Sequence, residues 1–217
     1  MGRSFISGRS AINIPMRNSF LRRRRFLASC FACAVVVVVS LGLFKLVNYL
    51  LPLYRWEVQV VLPQYRVGKL EIIAPTSSQE SLYSLTVTTP SDGVGLLARV
   101  PPSIEITSST LYGHSVQNFL LIYLLVSILG TRDIRVLFVS WLCAVPCWLL
   151  VEMSDTPLVL AGSIQDLVYA NFAKSQTSVL ITWLRMQESG GRLALSVFAA
   201  LVALMAGRCF CARRIRP

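Results

Sequence analysis

Arg22-Arg23-Arg24-Arg25-Phe26-Leu27-Ala28-Ser29-Cys30-Phe31-Ala32-Cys33-Ala34-Val35 opens the part of the chain that decides its architecture. Four consecutive arginines stop abruptly, and Phe26 to Phe44 carries no charge. A helix rises about 1.5 Å per residue, so such a run crosses the roughly 30 Å hydrocarbon core of a bilayer. A basic cluster beside a span stays on the cytoplasmic side, because arginine enters lipid only at high cost. The reading is a first transmembrane helix over 26–54, preceded by a disordered basic cytoplasmic segment over 1–25. Lys45 interrupts the apolar run, Pro52 is expected to end the helix, and Tyr49, Tyr54 and Trp56 read as an outer aromatic belt. Met16 is an alternative start to Met1, since the informative signal begins at Arg17.

Two export patterns overlap this stretch. Arg23-Arg24-Arg25-Phe26-Leu27 fits a twin-arginine signal, and Leu27-Ala28-Ser29-Cys30 fits a lipoprotein cleavage box. A cleaved signal places its apolar region before the cleavage site. Here the apolar run follows Cys30, which favours an uncleaved anchor.

Composition extends the membrane reading to the whole chain. Of 217 residues 54% are hydrophobic and only 14% charged, against about 25% charged in a soluble domain. The net charge of +11 does not mark a nucleic-acid surface. Its clusters lie at the chain ends, with no interleaved aromatics on a folded face. Arg22, Arg23, Arg24 and Arg25, then Arg132 and Arg135, then Arg213, Arg214 and Arg216 act instead as topology signals.

Residues 55–110 change character. Trp56 to Leu62, Val67 to Ile73, Ser81 to Thr88 and Ile104 to Thr107 are short, β-branched and partly alternating, separated by Pro63, Pro75, Pro90 and Pro101-Pro102. This is a strand-and-turn pattern, read as a small β-rich periplasmic segment. So short a segment makes a marginal core, so it is expected to rest on the membrane or on a partner.

Residues 111–151 read as a hairpin of two spans turning at Gly130-Thr131-Arg132-Asp133, with Pro146 kinking the second. Residues 152–191 read as a periplasmic amphipathic segment. There Asp155-Thr156-Pro157 looks like a helix start, and Trp183 like an interfacial anchor. Residues 192–211 form a fourth span and 212–217 a basic cytoplasmic tail. The fold class is therefore a mainly α-helical membrane protein: four transmembrane helices, a β-rich segment between the first two and interfacial helices between the last two. Both termini are cytoplasmic, in a bacterial inner membrane.

Candidate sites follow from residue type and spacing. Ser196, Ala199, Ala200, Ala203 and Gly207 form a small-residue stripe on the fourth span, which lets helix backbones approach closely. His114 is the only histidine. Its level at the outer end of the second span is that of Glu152 and Asp155 at the outer end of the third. An envelope hydrolase using His114 with Glu152 or Asp155, and Ser115 as nucleophile, is thus the alternative function. No nucleophile elbow accompanies Ser115, so no catalytic, cofactor or metal residues are assigned. Cys30, Cys33, Cys209 and Cys211 lie at cytoplasmic helix ends without turn residues and read as packing residues. No charge lies at mid-membrane apart from Lys45, which argues against a transporter.

The order of parts resembles the small membrane proteins encoded beside exosortases, especially the exosortase H-associated type. The resemblance rests on the anchor, the β-like segment, and a hairpin entered through Leu111-Tyr112-Gly113, followed by Phe119 to Gly130 and the Arg132–Arg135 turn. It implies a non-enzymatic accessory to a protein-sorting transpeptidase of a Gram-negative envelope. The implied partners are membrane lipids and another integral membrane protein, an exosortase, or its substrates, with no nucleic acid. The transpeptidases themselves use Cys, Arg and His near the outer face. The cysteines here lie at mid-helix or toward the cytoplasm.

Overall fold

Helices dominate the chain, and one small sheet sits among their outer ends. A computed structural model describes residues 15–73, 81–90, 100–130, 133–172 and 178–213. In chain order the elements are α1 (Pro15–Val61), β1 (Arg66–Ile73), β2 (Leu82–Thr88), β3 (Glu105–Leu111), α2 (Gly113–Gly130), α3 (Ile134–Phe172), α4 (Val179–Met186) and α5 (Arg192–Arg213). A π-helical turn, Gln187–Gly191, joins α4 to α5, and Gly190 supplies its positive φ of 107°. Among the described residues three helical segments are long and apolar enough to cross a membrane: Gly113–Gly130, Ile134–Phe172 and Val179–Ala212. Within α1 the described side chains give a shorter apolar run, Cys30–Val39.

Three expectations about punctuation are corrected. Pro52 does not end α1, which continues to Val61, so Trp56 to Val61 is helix and not strand. That stretch satisfies two periods at once. Alternation would group Trp56, Val58 and Val60, whereas helical spacing groups Val47, Tyr54, Val58 and Leu62. Tertiary burial chooses the second set: all four are at most 1% exposed. Asp155-Thr156-Pro157 does not start a helix either, because α3 runs unbroken through Pro146 and Pro157. The lost hydrogen bond at Pro157 is outweighed by burial of Val159, Leu160, Ala161, Ile164 and Val168 just beyond it. The basic lead-in is also partly helical, since α1 begins at Pro15; residues 1–14 lie outside the described part.

The sheet is an antiparallel meander in the order β1-β2-β3. Central β2 turns Tyr83, Leu85 and Val87 inward, each fully buried, at the strand period of two. A register shift lies between Val67 and Leu70 in β1. There Gly68 faces β2 so closely that an added Cβ would lie 3.0 Å from the Thr86 carbonyl oxygen. Arg55 donates to the Val67 carbonyl at 3.3 Å, while Gln59 donates to Tyr65 O at 3.0 Å and accepts from Val67 N–H at 3.1 Å. Side chains of α1 thus satisfy the start of the β1 edge, which would otherwise be open.

Two apolar cores result. The outer core joins the end of α1, the sheet and the second half of α3 through Tyr54, Val58, Tyr83, Leu85, Leu160 and Ile164. The bundle core joins α1, α2, α3 and α5 through Val36, Phe119, Ile122, Trp148, Ala200 and Ala203. The β-rich segment therefore does not stand alone. It is roofed onto helices that extend beyond the bundle.

Candidate functional site

Between the two cores lies a layer of buried polar side chains. Glu152 is fully buried and Asp155 is 1% exposed. Both sit on α3, one helical turn apart, where the helix passes from the bundle to the outer core. Two linked groups of hydrogen bonds form around them.

The first group centres on Glu152. Its Oε1 accepts from the Tyr54 hydroxyl at 3.1 Å, from Thr156 Oγ1 at 3.0 Å and from Ser115 Oγ. Ser115 Oγ also lies 2.9 Å from the Tyr83 hydroxyl. Residues from α1, α2 and α3 thereby meet on one carboxylate oxygen, and β2 joins them through Ser115. The rings support the same junction: Tyr54 and Tyr83 pack edge to face at 6.2 Å, and Tyr83 lies 5.6 Å from Tyr112. Burial first, and the nearby Glu152 charge second, push the Tyr83 hydroxyl well above the usual phenol range, so it remains a neutral donor.

The second group centres on Asp155. Its Oδ2 accepts from Asn118 Nδ2 at 3.0 Å, and its Oδ1 from Arg192 Nε at 2.8 Å. Ser196 Oγ donates to Asn118 Oδ1 at 3.0 Å. This group ties α2, α3 and α5. The Arg192–Asp155 pair is buried on both sides, 11% and 1% exposed, so each charge depends on the other for solvation.

Sequence reasoning placed Glu152 and Asp155 at one level with His114. The half-buried His114 lies in the first turn of α2, and its neighbour Ser115 is bonded to Glu152. Tyr54, Tyr83, Thr156, Asn118 and Arg192 were missed. Tyr54 read as a lipid-interface aromatic and Arg192 as a span boundary. No local motif joins them, because they converge from separate elements.

The small-residue stripe falls inside the bundle: Ser196, Ala199, Ala200, Ala203 and Gly207 are all buried. Gly207 faces α3, where an added Cβ would lie 2.9 Å from Ser140 Cα. Leu204 belongs to the same buried face at 3% exposure, whereas Met205 is 67% exposed. Arg22, Arg23, Arg24 and Arg25 lie within α1 and Arg213 ends α5, but their side chains lie outside the described part. Arg132, Arg214 and Arg216 lie wholly outside it. Arg135 is exposed, and its backbone N–H donates to Asp133 Oδ1 at 2.9 Å. Among the described residues no three metal-ligating side chains converge.

Chemically, the layer can hold buried charge and lock helices in register. Every described bond made by its two carboxylates goes to another side chain of the same chain. No family model, no curated protein and no solved structure matches this chain.

Proposed function

We propose that this protein is a non-enzymatic accessory or scaffold of the bacterial inner membrane. It crosses the membrane four times, keeps both termini in the cytoplasm and presents its sheet-bearing head to the periplasm. The observation that carries the non-catalytic reading is the burial of the polar layer. Glu152 and Asp155 are withdrawn from solvent. Tyr54, Ser115 and Thr156 meet Glu152 Oε1, and Asn118 and Arg192 meet the two oxygens of Asp155, while Glu152 Oε2 has no hydrogen-bond partner among the described residues. A hydrolytic site needs a reacting atom to reach its acid and nucleophile. A scaffold needs the opposite, a rigid head fixed to its anchors. The resemblance to exosortase H-associated proteins supplies the partner class: an integral sorting enzyme or its substrates.

Two experiments test this reading. Alkaline phosphatase fused after Pro90 should be active, and fused after Thr131 or Pro217 inactive; activity at Thr131 removes the four-span topology. Purification in mild detergent should bring down an integral membrane partner, and complementation with His114→Ala should retain function.

The Ser115–Glu152 contact keeps the hydrolase reading specific enough to test. Abolished function in Ser115→Ala, at normal abundance and thermal stability, would favour it over the scaffold.

A further inference from the structure

A cleft of 670 Å³ opens between α1 and β1, lined by Leu51, Pro52, Arg55, Trp56, Gln59 and Lys69 among others. It lies outside the polar layer and plays no part in the roles proposed above. Its depth in the membrane follows from hydrogen bonds already described. Helix α2 has 18 residues, about 27 Å, close to the hydrocarbon thickness, so its first turn marks one boundary. Ser115 in that turn and Tyr54 of α1 share Glu152 Oε1. Tyr54 is therefore at the same level. Leu51 and Pro52, a turn nearer the bundle, stand at acyl-chain depth. Arg55, the next residue, stands at the boundary itself, and Gln59, more than a turn further out, at headgroup depth.

The cleft is thus apolar below and cationic above. Among the described residues, Arg55 and Lys69 are its charged lining residues. One guanidinium nitrogen of Arg55 is held by the Val67 carbonyl, which fixes the head of the side chain while its other N–H donors stay available. Lys69 is 75% exposed and paired with Glu71 outside the lining. Trp56 is 63% exposed, and indole favours the glycerol level of a bilayer. Phosphate suits this arrangement because a planar guanidinium and an ammonium can each donate to its oxygens.

We propose that the cleft binds one anionic phospholipid, with its phosphate between Arg55 and Lys69 and an acyl chain along Leu51 and Pro52. The test uses the full chain in mild detergent, titrated with dioleoylphosphatidylglycerol or dioleoylphosphatidylcholine and read by native mass spectrometry. Wild type should retain the glycerol lipid about five-fold or more over the choline lipid, the scale set by one interfacial cation. Lys69→Glu, an exposed change that leaves the β1 backbone bonds intact, should bring retention close to parity. Arg185→Gln, an exposed cation outside the cleft, should leave the preference unchanged. Equal retention of both lipids by wild type, or an undiminished preference in Lys69→Glu, overturns the proposal. Displacement of the lipid by millimolar inorganic phosphate also overturns it, since the site would then belong to a free anion. A polypeptide crosslinked from position 56 in place of lipid overturns it as well.

Discussion

The bundle core and the outer core are built from the same helices by different means. In the bundle, α5 approaches α3 through Ala200, Ala203 and Gly207, and aromatic rings add bulk between the helices: Phe119 stacks on Tyr123 at 4.4 Å and meets Trp148 edge to face at 5.7 Å. In the outer core, large side chains from α1, β2 and α3 fill the space, with Tyr54, Tyr83, Leu85 and Leu160 all fully buried. Lipid gives helices no hydrophobic reason to associate, so the bundle depends on close van der Waals fit. Water supplies that reason outside, so the outer core can use size and area. The polar layer stands where one regime gives way to the other. Its Glu152 group reaches up to the sheet, and its Asp155 group reaches across to α5.

The contrast is broken most severely at the layer itself. Asp155→Ala leaves the buried Arg192 guanidinium and the Asn118 amide without their acceptor. The cost should be about 3 kcal/mol or more. Maleimide labelling of the half-buried Cys147 and tryptophan fluorescence should both report loss of structure at one temperature. If the outer core melts alone, the layer does not couple the two regions.

Gly207→Leu attacks the bundle alone. The added side chain must displace the Ser140 backbone, an overpacking cost of about 1–3 kcal/mol. Ala203→Leu should behave alike, and Met205→Ala, on the exposed face, should change nothing. Leu204→Ala should also destabilise, since Leu204 is buried. Thermal midpoints in mild detergent rank the four. Equal midpoints for Gly207→Leu and Met205→Ala would remove the close-fit argument.

Tyr83→Phe touches only the outer side. It keeps the ring in the core and removes one hydroxyl from Ser115, so about 1 kcal/mol should be lost. Urea unfolding read by fluorescence should shift while Cys147 protection stays unchanged below the transition.

The smallest expected effect belongs to Glu57. Burial pushes its carboxyl up to about 7. A carboxyl raised on folding stabilises most below its unfolded pKa, and that stability falls as pH rises through the folded value. Wild type should therefore lose a little stability between about pH 4.5 and 7. Glu57→Gln should lose less, so its midpoint should exceed that of wild type at pH 8 and approach it at pH 4. No difference at pH 8 would place Glu57 in water.

Legibility in the sequence followed the same division. The α2 and α5 spans were readable because nothing but apolar length is needed to make them. The strands were readable from Tyr83, Leu85 and Val87, where alternation had no helical competitor. Around the polar layer, local punctuation failed. Pro52 looks like a stop and Pro157 like a start, yet α1 and α3 run unbroken through them. The candidate site was half legible. Glu152 and Asp155 stood out as acids beside an apolar run, and His114 drew attention as a lone histidine. The actual partners of Glu152 are hydroxyls, among the least distinctive groups in a sequence, and they arrive from three helices. Only the fold brings them together.

The Asp155 group has a consequence for how the chain is made. Asn118 and Asp155 leave the ribosome well before Arg192 and Ser196. Until the last helix inserts, a carboxylate waits at the bundle edge without its cation. Addition of α5 supplies that charge and the Ser196 hydroxyl in one step. A chain stopped before Arg192 lacks the guanidinium that answers Asp155 and carries an unpaired acid at the bundle edge. Quality-control proteases that sample such boundaries would meet a visible difference between the finished molecule and every shorter form of it.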